Sequence, residues 1–214
     1  MDAGRRDRLI RTTPRILLRM SIPRLLALGL ATALALTACG GDDGGEGETG
    51  MAGGENVVLG DADEGIDGVQ AIRVYYSDPV HTESVVEYDL RPPAGGIHNP
   101  SWWTCGFYDE PVPDEHLVHN LEHGVVWLAY APDLPADEVE VIHDIVRGDQ
   151  RVIATPYPDL EAGEAVVVTA WARQLRLDSA DDPRLGEFVR QYQDGSQAPE
   201  SGASCEGSLG TPIP

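Results

Sequence analysis

The 214-residue chain contains no lysine, so its 15 basic residues are all arginines, set against 36 acids for a net charge of −21. Seven of those arginines and two of the acids fall in the first 38 residues. Beyond them 8 arginines face 34 acids, a net charge near −26. Phosphate binding needs clustered basic side chains, so a nucleic-acid surface is not expected. Docking on an anionic membrane through a basic face is not expected either. Long apolar runs are also missing. The best, LLALGLATALALTAC at residues 25–39, falls short of the about 20 residues a spanning helix needs. There is no G-x-x-x-x-G-K-[ST] loop, no G-x-S-x-G elbow and no C-x-x-C pair, which removes the simplest nucleotide, acyl-transfer and dithiol readings.

What is present at the start is a basic stretch, a short apolar segment and small residues, the pattern of an export signal. Met20 would open a compact signal of its own. The end of that segment, Leu36-Thr37-Ala38-Cys39-Gly40, resembles a bacterial lipobox. The resemblance implies cleavage before Cys39 and lipidation of its thiol. The expectation is an exported protein held to the membrane by lipid alone, with its domain on the extracytoplasmic side.

The expected organisation is a signal at 1–38, a tether at 39–56, a domain at 57–195 and a tail at 196–214. The tether is rich in glycine and acid and cannot bury a core. The domain has a common size for a single unit. With Cys39 assigned to lipid, Cys105 and Cys205 remain, and an exported chain lives where disulfides persist. A bridge between them would tie the tail to the domain. It would stabilise by up to about 4.7 kcal/mol in the chain-entropy view of a loop near 100 residues. The alternative is a thiolate metal ligand at Cys105.

Along the domain, strands are expected at Val69–Tyr76, Ser84–Tyr88, Val125–Ala131, Arg151–Thr155 and within Ala165–Leu177. Helices are expected at Pro113–His123, Ala136–Arg147 and Arg184–Gln193. The first opens on proline and acids and stops at Gly124. Arg91–Ser101, RPPAGGIHNPS, must be loop. The predicted fold is a single small α+β domain with one mainly antiparallel sheet and a few short helices. The acidic stretch Asp61–Gly68 lacks the spacing and closing glutamate of a calcium loop and reads as a solvated turn.

The chemistry concentrates in Pro113–His123. At about 100° per residue, His116, His119 and His123 fall within roughly 60° of one another, with Leu117, Val118 and Leu121 opposite. Packing the apolar side on the sheet leaves the histidine stripe to water or to a covering segment. Histidines four apart on one helical face can share an ion.

From about His81 to Tyr130 the chain resembles the domain of unknown function 3105 family of bacterial exported and membrane-anchored proteins. The matching residues are His81, Tyr88, Pro92, Pro93, Gly95, Gly96, His98, Trp102, Gly106, Tyr108, Val118, His119, Leu121, Glu122, His123 and Gly124, with Ala94 at a small-residue position. The resemblance implies a fold family and a recurring polar cluster, and no activity. It selects His81, His98, His119 and His123 and leaves His116 and His143 aside. The expected ligand set is His98, His119 and His123, with His81 or Glu122 completing the shell. The ion is a transition metal, zinc or copper by the imidazole-rich donors. The alternative is a structural histidine network in an envelope interaction module, whose aromatic loop (Trp102, Trp103, Phe107, Tyr108) meets a protein partner. A third reading takes His119, Glu122 and His123 as the H-x-x-E-H of a zinc hydrolase with Glu122 as base. The helix ends at once at Gly124 and no further acidic ligand can be named.

Overall fold

A computed structural model describes residues 55–62, 64–75 and 80–214. Cys39, the export signal and nearly all of the tether lie outside the described residues. Among the described residues, seven strands form one sheet: β1 (Asn56–Asp61), β2 (Gln70–Val74), β3 (Gly106–Phe107), β4 (Val126–Tyr130), β5 (Val152–Pro156), β6 (Val166–Ala170) and β7 (Arg173–Leu177). The helices among the described residues are α1 (Asp114–Glu122), α2 (Ala136–Gly148) and α3 (Pro183–Tyr192). The strand order is β1-β2-β7-β6-β4-β5-β3. The pairs of β5 with β4 and with β3 are parallel and the other four pairs antiparallel, so the sheet is mixed and mostly antiparallel. A parallel pair needs a crossover, and α2 supplies it between β4 and β5.

The apolar run of β4 is buried on both faces, and its side chains alternate between two cores. Val126, Leu128 and Tyr130 join Ile142 of α2 and Leu185, Phe188 and Val189 of α3. Trp127 and Ala129 face the other way, onto Leu117, Val118 and Leu121 of α1. The α1 leucines therefore take the sheet side, as their spacing demands. Gly124 lets α1 turn straight into β4. Its φ is +86°, and a Cβ there would lie 3.0 Å from the Asp194 backbone.

Three elements differ from the sequence expectation. Ser84–Tyr88 forms no strand, because the Val86 amide donates to the Glu115 carboxylate (2.8 Å) and not to a neighbouring strand. β1 extends the sheet where the tether was expected to be giving way to the domain. β3 is only two residues long and is defined by its partners, β5 on one side and Ile213 of the C-terminal segment on the other.

Candidate metal centre

α1 is buried on nearly every side: Leu117, Val118 and Leu121 meet the sheet, while His119, Asn120, Glu122 and His123 are buried without touching it as core. Two segments cover this polar side. The first is the loop from Val80 to Trp103. Gly95, at φ +143°, lets the loop press onto β2, where a Cβ would lie 2.9 Å from Val74. Asn120 then holds the far end of the loop, accepting from the Trp103 amide (2.9 Å) and donating to its carbonyl (2.7 Å). A one-residue bridge pairs His81 with His98, through His98 N to Val80 O (3.0 Å) and Thr82 N to His98 O (2.7 Å). The bridge is what delivers His81 to the site.

The second covering segment is C-terminal. The Glu200 amide donates to the Glu122 carbonyl (2.9 Å) and the Gly202 amide to the His123 carbonyl (3.1 Å). Cys105 and Cys205 are joined by a disulfide with a Cα–Cα distance of 5.5 Å. Arg151 crosses from the start of β5, donating to the carbonyls of Ala203 and His123 and to the Asp194 carboxylate.

Between these covers, His81, His98, His119 and Glu122 offer ligand atoms that all lie within 4.8 Å of one another. His98 Nε2 is 2.9 Å and His81 Nε2 3.7 Å from Glu122 Oε2. His98 is fully buried, whereas the His81 side chain is 42% exposed and marks the side open to solvent. The sequence reading places His123 among the leading ligands. The structure puts it beside this group and not inside it, with its Nε2 2.9 Å from that of His119. The reason is local: His123 caps the C-terminus of α1, and its Nδ1 turns to the Ser204 carbonyl of the covering segment (2.6 Å). His116 turns to the Ser101 carbonyl, and His143 packs on Phe107, so neither joins the group.

The protonation pattern follows from the partners. Nδ1 of His98 faces the Gly96 carbonyl (2.8 Å), Nδ1 of His119 the Asn99 carbonyl (2.7 Å), and Nδ1 of His123 the Ser204 carbonyl. A carbonyl only accepts, so each Nδ1 carries a hydrogen, and whenever a ring is neutral its Nε2 lone pair faces inward. Outer bonds of this kind fix the tautomer of metal-binding histidines. Inside, the His98 lone pair confronts a carboxylate oxygen and the His119 lone pair confronts that of His123, both at 2.9 Å. The His98–Glu122 contact is a hydrogen bond whenever the ring carries a hydrogen on Nε2, whereas the two facing imidazole nitrogens of His119 and His123 need a shared cation, proton or metal, between them. Burial, aided by the neighbouring His123 and His98, pushes the His119 pKa down to about 4, against the bond to Asn99, so its lone pair is free at neutral pH. Burial alone would raise Glu122, but the His98 bond and the surrounding imidazoles hold it below the usual carboxylate range. The group offers three imidazoles and one carboxylate, a donor set that suits a first-row transition metal.

Sequence reasoning named Trp102 in the aromatic loop and the family pattern without its place over the histidines, and it missed Glu200. Trp102 lies over the rings of His119 (5.7 Å) and His123 (5.0 Å), and its buried Nε1 has no hydrogen-bond partner among the described residues. Glu200 Oε2 comes within 3.7 Å of His123 Nε2 from the solvent side. The expected cysteine pairing is the one signal that would have drawn the tail toward this region, since Cys105 follows Trp102 closely.

Fold and site define a small α+β domain that buries a histidine–carboxylate cluster between one helix and its covering segments. The profile of the protein of unknown function (DUF3105) family matches residues 80–207, more than half of the chain, and the chain belongs to that family. No curated protein and no solved structure matches it.

Proposed function

We propose that this chain is an exported, lipid-anchored envelope protein whose domain binds one transition-metal ion through His98, His119, Glu122 and His81. The carrying observation is the convergence of the four ligand atoms within 4.8 Å of one another, with 2.9 Å contacts from His98 to Glu122 and from His119 to His123 in rings whose Nδ1 atoms face backbone carbonyls. A cation relieves both contacts. Zinc and copper suit the donors best, because imidazole and one carboxylate match their preference over calcium or magnesium. The net charge near −26 beyond the signal raises the local concentration of cations. The lipid anchor rests on Leu36–Gly40 alone.

A hydrolase that uses Glu122 as base is the poorer reading, since that carboxylate lies against His98. A shared proton in place of a metal would relieve the same contacts and leave a purely structural network. Elemental analysis separates the two. The chain purified without affinity histidines should carry close to one equivalent of zinc or copper at neutral pH, or take it up when supplied. A protein that takes up neither, nor nickel or iron, ends the metal reading.

A further inference from the structure

We infer that the C-terminal segment Glu200–Cys205 is a releasable wall of the metal site, so that metal affinity depends on the redox state of Cys105–Cys205. The inference rests on the metal reading above. The segment meets the ligand helix through Glu200 N on the Glu122 carbonyl, Gly202 N on the His123 carbonyl and the Ser204 carbonyl on His123 Nδ1, with the Glu200 carboxylate 3.7 Å from His123 Nε2 and Asn120 Nδ2 donating to Cys205 Sγ (3.7 Å). Arg151 clamps it by bonding Ala203 and His123 together. The one covalent hold comes at its end, where Cys205 joins Cys105 across 100 residues and the Cys105 amide donates to the Cys205 carbonyl (2.8 Å).

Ser204 matters because of what it forbids. While its carbonyl accepts from Nδ1, neutral His123 has no hydrogen on Nε2 and cannot donate to His119. The His119 lone pair stays available to a metal. Released from Ser204, His123 can move its hydrogen to Nε2 and donate it across the 2.9 Å gap to His119. That bond occupies the electron pair a metal needs. A dithiol reductant triggers the release. It passes two electrons and two protons to the Cys105–Cys205 bond, which becomes two thiols while the reductant closes its own disulfide. Metal binding and the disulfide are then coupled in both directions, each favouring the other by the same factor.

The probe is Zn(II), titrated against a competing chelator into the full chain in detergent. Four chains are compared: wild type, Cys105→Ala/Cys205→Ala, His123→Ala, and the triple variant. Alanines are used so that freed thiolates do not bind zinc themselves. The cysteine pair change is expected to weaken zinc binding about tenfold or more, in the range typical of groups that orient ligands. Most of that loss should vanish in the His123→Ala background. Equal affinity with and without the cysteines overturns the proposal, as does a cysteine effect undiminished without His123. Should the cysteine variant fail to fold, Arg151→Ala with the disulfide intact decides: weaker binding supports the wall, unchanged binding overturns it. Wild type that takes up no zinc or other transition metal removes the metal reading itself, and this inference with it. Zinc bound by wild type but insensitive to the cysteine and Arg151 changes removes only the inference.

Discussion

β4 is packed on both faces, but the two faces are built on different terms. Val126, Leu128 and Tyr130 meet α2 and α3, and there burial is apolar throughout: Ile142, Leu185, Phe188 and Val189 fill the space and the helices turn their charged residues to water. Trp127 and Ala129 meet α1, whose far side is buried as well. A helix with cover on both sides must bury polar groups, and each needs a partner. Asn120 finds Trp103, and His98, His119 and His123 find three backbone carbonyls. What is left over, the inward Nε2 atoms and the Glu122 carboxylate, is met chiefly by members of the cluster itself. One face therefore stores stability, and the other leaves a cluster of unspent electron pairs.

Substitutions should separate the two faces cleanly. The largest effect is expected at the site: His119→Ala or His98→Ala should abolish zinc or copper uptake while the chain stays folded. Phe188→Ala on the opposite face should leave the metal stoichiometry of the folded protein unchanged. Elemental analysis of folded, gel-filtered protein reads both. Uptake retained in both histidine variants would mean that the polar face holds its electron pairs for another purpose.

Stability should show the reverse pattern. Phe188 is fully buried among α3, the sheet and Tyr192, so its truncation is expected to cost about 3–5 kcal/mol in urea unfolding of the metal-free chain. A loss under about 1 kcal/mol would show that the α2–α3 face is not where the apolar stabilisation resides.

The apolar face was the more legible in the sequence, because period-2 and period-3.6 patterns report burial directly. The expected Val125–Ala131 and Ala136–Arg147 fall within a residue of β4 and α2. On the polar face the helical period set Leu117, Val118 and Leu121 against the histidines, and the Pro-Gly loop carrying His98 was the natural cover. What stayed hidden depends on contacts distant in sequence. His81 reaches the site only through its bridge to His98. Ser204 and Glu200 come from about 80 residues beyond α1, delivered by the disulfide and Arg151. His123 shares the stripe of His119 in sequence yet leaves the ligand group, because a C-cap residue answers to whatever follows the helix.

The smallest effect expected is a pair of opposed slopes in the stability of the metal-free chain, one from each end of α1. His119 ionises near 6.5 when unfolded and near about 4 when folded. Between those values the unfolded chain binds a proton that the folded chain resists, so stability falls as the pH is lowered. Asp114, at the N-terminus of α1, runs the other way. Burial raises its pKa from 3.8 to about 6, while the bond from Tyr157 pulls it back. Between those values the folded chain holds a proton that the unfolded chain has released, so stability rises as the pH is lowered. Around pH 5 the two oppose each other, and chelator-treated wild type should show a shallow profile from pH 6 to 4.5. Glu122, held below the usual carboxylate range, adds its own loss only at lower pH, where unfolded carboxylates begin to protonate. Removing one partner should expose the other. His119→Gln should become more stable on acidification across this window, and Asp114→Asn less stable. Urea unfolding followed by tryptophan fluorescence at half-unit steps from pH 6.5 to 4.5 measures both slopes. Profiles for the two variants that run parallel to wild type would show that neither end of α1 carries the protonation its surroundings dictate.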